Sequence, residues 1–100
     1  MSKVGAHLMI WTSKLDEDNI KIFERVNEIG FDGVEIPLVN PINIEFKLVK
    51  RMQKQLDKME LECTCGGGLG KGENLIDEDK DIRERGERHL KKFIDICSDL

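Results

Sequence analysis

The feature that most constrains this chain is a threefold alternation of short apolar runs with longer amphipathic stretches. Residues Val4 to Trp11 (VGAHLMIW) are almost continuously apolar, the pattern of a parallel strand covered on both faces. Asp16 to Asn19 then supply an acidic helix start, suited to the positive end of a helix dipole. Ile20, Phe23, Val26 and Ile29 recur at three-residue spacing and define one apolar helical face, and Gly30 stands where a glycine ends a helix. Phe31 to Pro37 (FDGVEIP) reads as a second strand stopped by proline. Pro41-Ile42-Asn43 leads into a second helix with Ile44, Leu48, Val49, Met52, Leu56 and Met59 on one face. Leu61 to Cys65 is a third short strand. After a polar loop from Gly72 to Asp79, a third helix carries Ile82, His89, Leu90, Phe93, Ile94, Cys97 and Leu100.

Strand and helix alternating with short connections imply right-handed βαβ units on a parallel sheet. Three parallel strands alone leave two long apolar edges, which complete folds avoid. The last helix runs to Leu100 with no cap and no fourth strand. Each unit has the roughly 30-residue size of a (β/α)₈ barrel unit, such barrels having about 250 residues. The expected fold class is therefore α/β: residues 1–100 form three parallel (β/α) units from the N-terminal part of a TIM (β/α)₈ barrel, the remainder being absent from this chain. A compact flavodoxin-like sheet is the alternative, and it also needs more strands.

Composition excludes several classes. Sixteen basic against twenty acidic residues give a net charge of −4, opposite to the basic face that nucleic acid requires. No apolar run approaches the ~18 residues of a membrane span, and the start, Met-Ser-Lys-Val-Gly-Ala, lacks the apolar core of a signal peptide. Three cysteines, two of them one residue apart, do not make a disulfide framework. A reducing cytoplasm is the expected setting.

The segment Cys63 to Gly72 (CTCGGGLGKG) holds two of the three cysteines and raises three possibilities. A phosphate-binding P-loop fails, because Gly70-Lys71 is followed by Gly72 rather than a hydroxyl residue, and Cys65 stands where the first glycine belongs. The dinucleotide pattern G-x-G-x-x-G fails in every frame. A zinc site is disfavoured by Cys-x-Cys spacing and by a supply of only two histidines, His7 and His89. Cys63, Cys97 and His89 read more simply as small buried thiols and a satisfied core histidine. What remains is a pocket lip: loops after barrel strands form the active-site face, and glycines there let backbone N–H groups approach a ligand.

Lys3-Val4-Gly5 through Trp11, Gly30-Phe31-Asp32-Gly33-Val34-Glu35-Ile36, Cys65-Gly66-Gly67-Gly68, and Glu73-Asn74-Leu75 followed by Asp81-Ile82-Arg83 together resemble the ketose 3-epimerases. These are the D-tagatose and D-psicose (D-allulose) 3-epimerases of the xylose-isomerase-like barrels. The G-F-D-G-V-E-I piece is shared by many sugar isomerases and speaks to fold more than substrate. The resemblance implies C3 epimerisation of a free ketose by proton transfer through an enediolate, with two glutamates on opposite faces of C3. It implies a divalent metal, Mn²⁺ foremost and Co²⁺ or Mg²⁺ as options, held by two Glu, one Asp and one His beyond residue 100. No catalytic or metal residue is then expected within this chain, and residues 1–100 alone are expected to be inactive. Relatives are commonly dimers or tetramers.

What the chain is expected to supply is substrate wall. His7 stands where relatives carry an aromatic residue near the sugar; its imidazole can bond a hydroxyl, or it is a buried strand histidine with a satisfied ring. Cys65, Gly66 and Gly67 match the segment that approaches substrate in the family. Trp11 either stacks on a sugar face or belongs to the core. Relatives often have a second tryptophan where this chain has Ser13-Lys14-Leu15, so the lid on that side departs from the pattern. Glu35 either reaches across the barrel mouth or forms a surface or layer-filling ion pair. Rival readings are a sugar-phosphate epimerase, hydroxypyruvate isomerase or inosose dehydratase of the same fold, and a non-catalytic half-barrel used for binding or assembly. Endonuclease IV, a distant relative with an early zinc histidine, is opposed by the net acidity. A phosphosugar enzyme would need a basic group, for which Lys71 is the local candidate.

Overall fold

The computed structural model describes residues 2–12 and 15–100. Three parallel strands, β1 (Gly5–His7), β2 (Gly33–Pro37) and β3 (Glu62–Gly66), form one sheet. Three helices alternate with them: α1 (Ile22–Ile29), α2 (Phe46–Met59) and α3 (Lys80–Asp99). Short 3₁₀ turns at Leu8–Ile10, Asp18–Lys21 and Pro41–Asn43 complete the described elements. The spatial order β1-β2-β3 follows the chain order. A flavodoxin-like sheet places its first strand between the second and third, so that alternative is excluded.

Strand pairing is in register along three rows. Gly5 lies opposite Gly33, which faces Glu62; Ala6, Val34 and Cys63 form the next row; His7, Glu35 and Thr64 the one above. Backbone bonds extend the pairing at both ends, with Asp32 N–H donating to Val4 O at 2.8 Å and Leu38 N–H donating to Gly66 O at 2.8 Å. Asp32 also accepts the Val4 N–H through Oδ2, fixing the strand entry.

One face of the sheet carries the helices. Ala6, Val34 and Ile36 are buried against Phe23 and Val26 of α1, Val49, Met52 and Leu56 of α2, and Ile96 of α3. The expected helical stripes are met in α1 and α2, with two edges corrected. Ile29 is half exposed, because Gly30 at φ 103° ends α1 and turns the chain away there. In α3, Leu90 and Ile94 lie outward, and the buried line runs through Gly86, His89 and Ile96. An Asp79 carboxylate accepting the Asp81 N–H sets the start of that helix.

The first strand is shorter than its apolar run. After His7 the chain enters the 3₁₀ turn, and Met9 and Ile10 become exposed. The cause is local. His7 takes the N-cap position, and its ring Nδ1 accepts the Met9 N–H at 3.0 Å, bending the chain out of the ladder. No helix of the described residues is long and apolar enough to cross a membrane.

Candidate functional site

The parity of a strand assigns alternate residues to opposite faces. With Ala6, Val34 and Ile36 committed to the helix layer, Gly5 and His7, Gly33 and Glu35, and Glu62, Thr64 and Gly66 occupy the other face. A hollow of about 410 Å³ lies over this face, bordered by His7, Glu35 and Thr64 toward the C-terminal ends and by Lys3 and Glu62 toward the N-terminal ends. Gly5 and Gly33 contribute no side chain, which leaves the hollow its depth. An ion pair between Lys3 and Glu62 closes its lower end and raises the Lys3 amine above its ordinary range through the Glu62 hydrogen bond and charge.

His7 and Glu35 meet across the strand pair. The imidazole Nε2 stands 3.8 Å from the Glu35 Oε2, and both side chains are more than a third exposed. Since Nδ1 already accepts the Met9 N–H, the ring proton sits on Nε2, on the side of the ring away from the turn. The second Glu35 oxygen lies over Gly66: a Cβ there would come within 2.9 Å of Oε1. A side chain at position 66 would therefore displace the Glu35 carboxylate, the far end of a flexible side chain. The carboxylate bridges the strand ends, one oxygen toward β1 and the other over β3.

Gly67 has a different reason. A Cβ there would meet Leu38 O at 2.8 Å and the Phe93 ring at 3.0 Å, so this residue lets the loop pack against the segment after β2 and against α3. Gly68 has open space around it. The thiol of Cys65 packs with Cys63 and Cys97 against the core on the helix side, and what Cys65 offers the opposite face is backbone. All three cysteines are free. Cys65 shares a hydrogen bond with Cys63, which lowers the Cys63 thiol to about 7; the same bond and burial push the Cys65 thiol up.

Trp11 closes the 3₁₀ turn through its N–H to Leu8 O and is 38% exposed, a surface rather than a core position. Lys71 is exposed in the loop. Ser13 and Lys14, where the lid departs from the family pattern, lie outside the described residues. Two groups escaped the reading of the sequence. Thr64 joins His7 and Glu35 only through the strand register, which the sequence does not state. The other is the partner of His89: that histidine, expected to be a satisfied core residue, is 3% exposed and has Nδ1 2.8 Å from Oε2 of Glu73. Glu73 Oε1 accepts the Gly70 N–H at 2.9 Å, and that bond, then the one from His89, holds its carboxyl below the ordinary value of 4.5. This pair fastens the loop after β3 to α3, and Gly86 allows it: a Cβ there would lie 2.3 Å from Glu73 O.

Among the described residues no group of three or more His, Cys, Asp or Glu side chains could hold a metal ion.

Sequential parallel strands with helices on one face match the N-terminal part of a TIM-barrel fold. The chain is similar to a ketose 3-epimerase from Arthrobacter globiformis, 28% identical over 99 residues covering 98% of this chain and 33% of that protein. A D-allulose 3-epimerase from Methylomonas sp. superposes with a TM-score of 0.86 at 23% identity, over 97% of this chain and 33% of that one. A D-psicose 3-epimerase crystallised in the presence of D-fructose gives 0.84 at 20% identity, over 98% and 34%. No protein-family model matches the chain. The chain thus spans about a third of the length of the proteins it resembles.

Proposed function

We propose that residues 1–100 are the first three (β/α) units of a sugar epimerase that interconverts free ketoses at C3. The observation that carries this reading is the 28% identity to a ketose 3-epimerase, extended over 99 residues without a break in fold. Three features of the chain support it. The polar row His7–Glu35–Thr64 stands at the strand ends where barrel enzymes bind substrate. The neighbouring face is a hollow of a size that takes a hexose. Among the described residues its lining near those ends carries no lysine or arginine, which suits a neutral sugar better than a phosphorylated one.

In this reading the chain binds and orients. His7 donates from Nε2, Glu35 accepts, and Trp11 covers the rim. Removal and return of the C3 proton through an enediolate falls to carboxylates outside these residues. A divalent ion, Mn²⁺ by family likeness, would belong to the same outside set. A cytoplasmic dimer or tetramer completes the proposal.

The experiment is an assay of the full-length protein on D-fructose, D-tagatose and L-ribulose, by NMR of the product, with Mn²⁺ and after chelation. Epimer formation that stops on chelation and returns with Mn²⁺ is expected. Turnover of a phosphosugar alone would move the reading to the phosphosugar branch of the fold. An intact mass of 11.5 kDa for the native product, with no partner chain, would remove the enzymatic reading altogether.

A further inference from the structure

We infer that His7 and Glu35 form a two-sided fork for one neutral hydroxyl group, with Gly66 as the space that lets the fork form. The inference rests on the sugar-binding reading above and assigns the residues that select its substrate.

The turn after β1 sets the tautomer of the His7 ring. The Met9 N–H occupies the Nδ1 lone pair at 3.0 Å, so the ring offers the open face one donor, Nε2–H. Glu35 as a carboxylate offers acceptors only. The two stand 3.8 Å apart, beyond a hydrogen bond. A hydroxyl oxygen set to the open side of the pair, about 2.8 Å from each, can accept from Nε2–H and donate to Oε2. Few ligand groups satisfy both sides. A phosphate or carboxylate would suit His7 but face the Glu35 charge, and an ammonium would suit Glu35 but face the N–H. An alcohol does both.

Register and packing hold the fork in place. His7 and Glu35 are directly paired residues of β1 and β2, and Thr64 continues the row on β3 with a second hydroxyl-bonding group. The ring is fixed by its cap. The carboxylate lies over Gly66, whose added Cβ would stand 2.9 Å from Oε1 and would displace it. Gly66 therefore acts on the ligand through Glu35, as a positioning residue.

Two measurements on the full-length protein test this. In the first, ¹⁵N-histidine NMR reports the His7 ring, identified by the signal lost in His7→Phe, while D-mannitol is titrated as a polyol that cannot turn over. The Nε2–H tautomer and a saturable Nε2 shift are expected. An Nδ1–H ring, or no shift at saturation, overturns the fork. In the second, kcat/KM is compared for D-fructose and analogues lacking one hydroxyl each. One deoxy position is expected to lose about tenfold to a hundredfold in the native protein, the range of one hydrogen bond to a charged group. That penalty should fall to within about threefold in His7→Phe and in Glu35→Ala. Gly66→Ala should reproduce the Glu35→Ala loss, and the double variant should be no worse than either single one. Independent, additive losses overturn the role given to Gly66. A shift of His7 with D-mannitol but no turnover of any ketose keeps the fork and removes the epimerase reading. Turnover with every deoxy penalty unchanged in both variants keeps the epimerase and removes the fork.

Discussion

The two histidine–glutamate pairs of this chain are built from the same chemical groups and are suited to different tasks. His89 and Glu73 are 2.8 Å apart, with side chains 4% and 21% exposed. His7 and Glu35 are 3.8 Å apart, at 36% and 45%. In the first pair the carboxylate is used on both oxygens, by His89 and by the Gly70 N–H, and the imidazole is enclosed. Such a pair holds a loop. In the second, the imidazole donor and one carboxylate oxygen still face open space, so the pair has bonding capacity to give a ligand. A buried polar group must be satisfied within the protein, whereas an exposed one can exchange partners with little cost.

The largest loss is expected from Gly86→Ala. The new methyl would stand 2.3 Å from Glu73 O and 2.9 Å from a Leu75 methyl group, so the loop must leave α3. A destabilisation of about 3 kcal/mol, read by urea unfolding, is the expected outcome for overpacking against backbone. A change under 0.5 kcal/mol would show that the loop is not fastened there.

Next is His89→Ala, which empties the space of a buried ring and should cost about 2 kcal/mol. The same contact has an acid limb. The Glu73 carboxyl is depressed in the folded protein by the Gly70 N–H and then by His89. Its contribution is therefore complete above the ordinary value of 4.5, and it fades as pH falls through the lower folded value. Thermal unfolding of Glu73→Gln should lose part of the acid-side slope that the native protein shows. An identical slope would remove Glu73 from the account.

The open pair should respond much less. His7→Ala loses the cap on the Met9 N–H, about 1 kcal/mol by analogy with other N-caps. Glu35→Gln should change stability by under about 0.5 kcal/mol, as exposed ion pairs do. If either variant unfolded the protein, His7–Glu35 would be a structural pair like the other, and the contrast would vanish.

Much of the architecture was legible in the residues. The βαβ alternation, the helix ended by Gly30 and the stripe Leu48–Val49–Met52–Leu56 follow from periodicity and a stop signal, both local properties. The end of β1 was not legible. VGAHLMIW is apolar throughout, and only the ring of His7 capping Met9 turns its second half into a 3₁₀ turn. The candidate site was half legible. His7 and Glu35 could be named from strand parity and family likeness, but their pairing depends on register, which is a relation between segments 28 residues apart.

The glycine run shows the same division. The sequence by itself determined that Gly66 and Gly67 follow a strand, that they form neither a P-loop nor a dinucleotide fingerprint, and that His89 lies on the core face of a helix. Only the tertiary structure decided why each glycine is there. Gly67 makes room for Leu38 O and the Phe93 ring and Gly86 for the backbone of Glu73, whereas beside Gly66 lies the movable Glu35 carboxylate. The reason is physical: the absence of a side chain records that something lies close, and what lies close is brought there by distant parts of the chain.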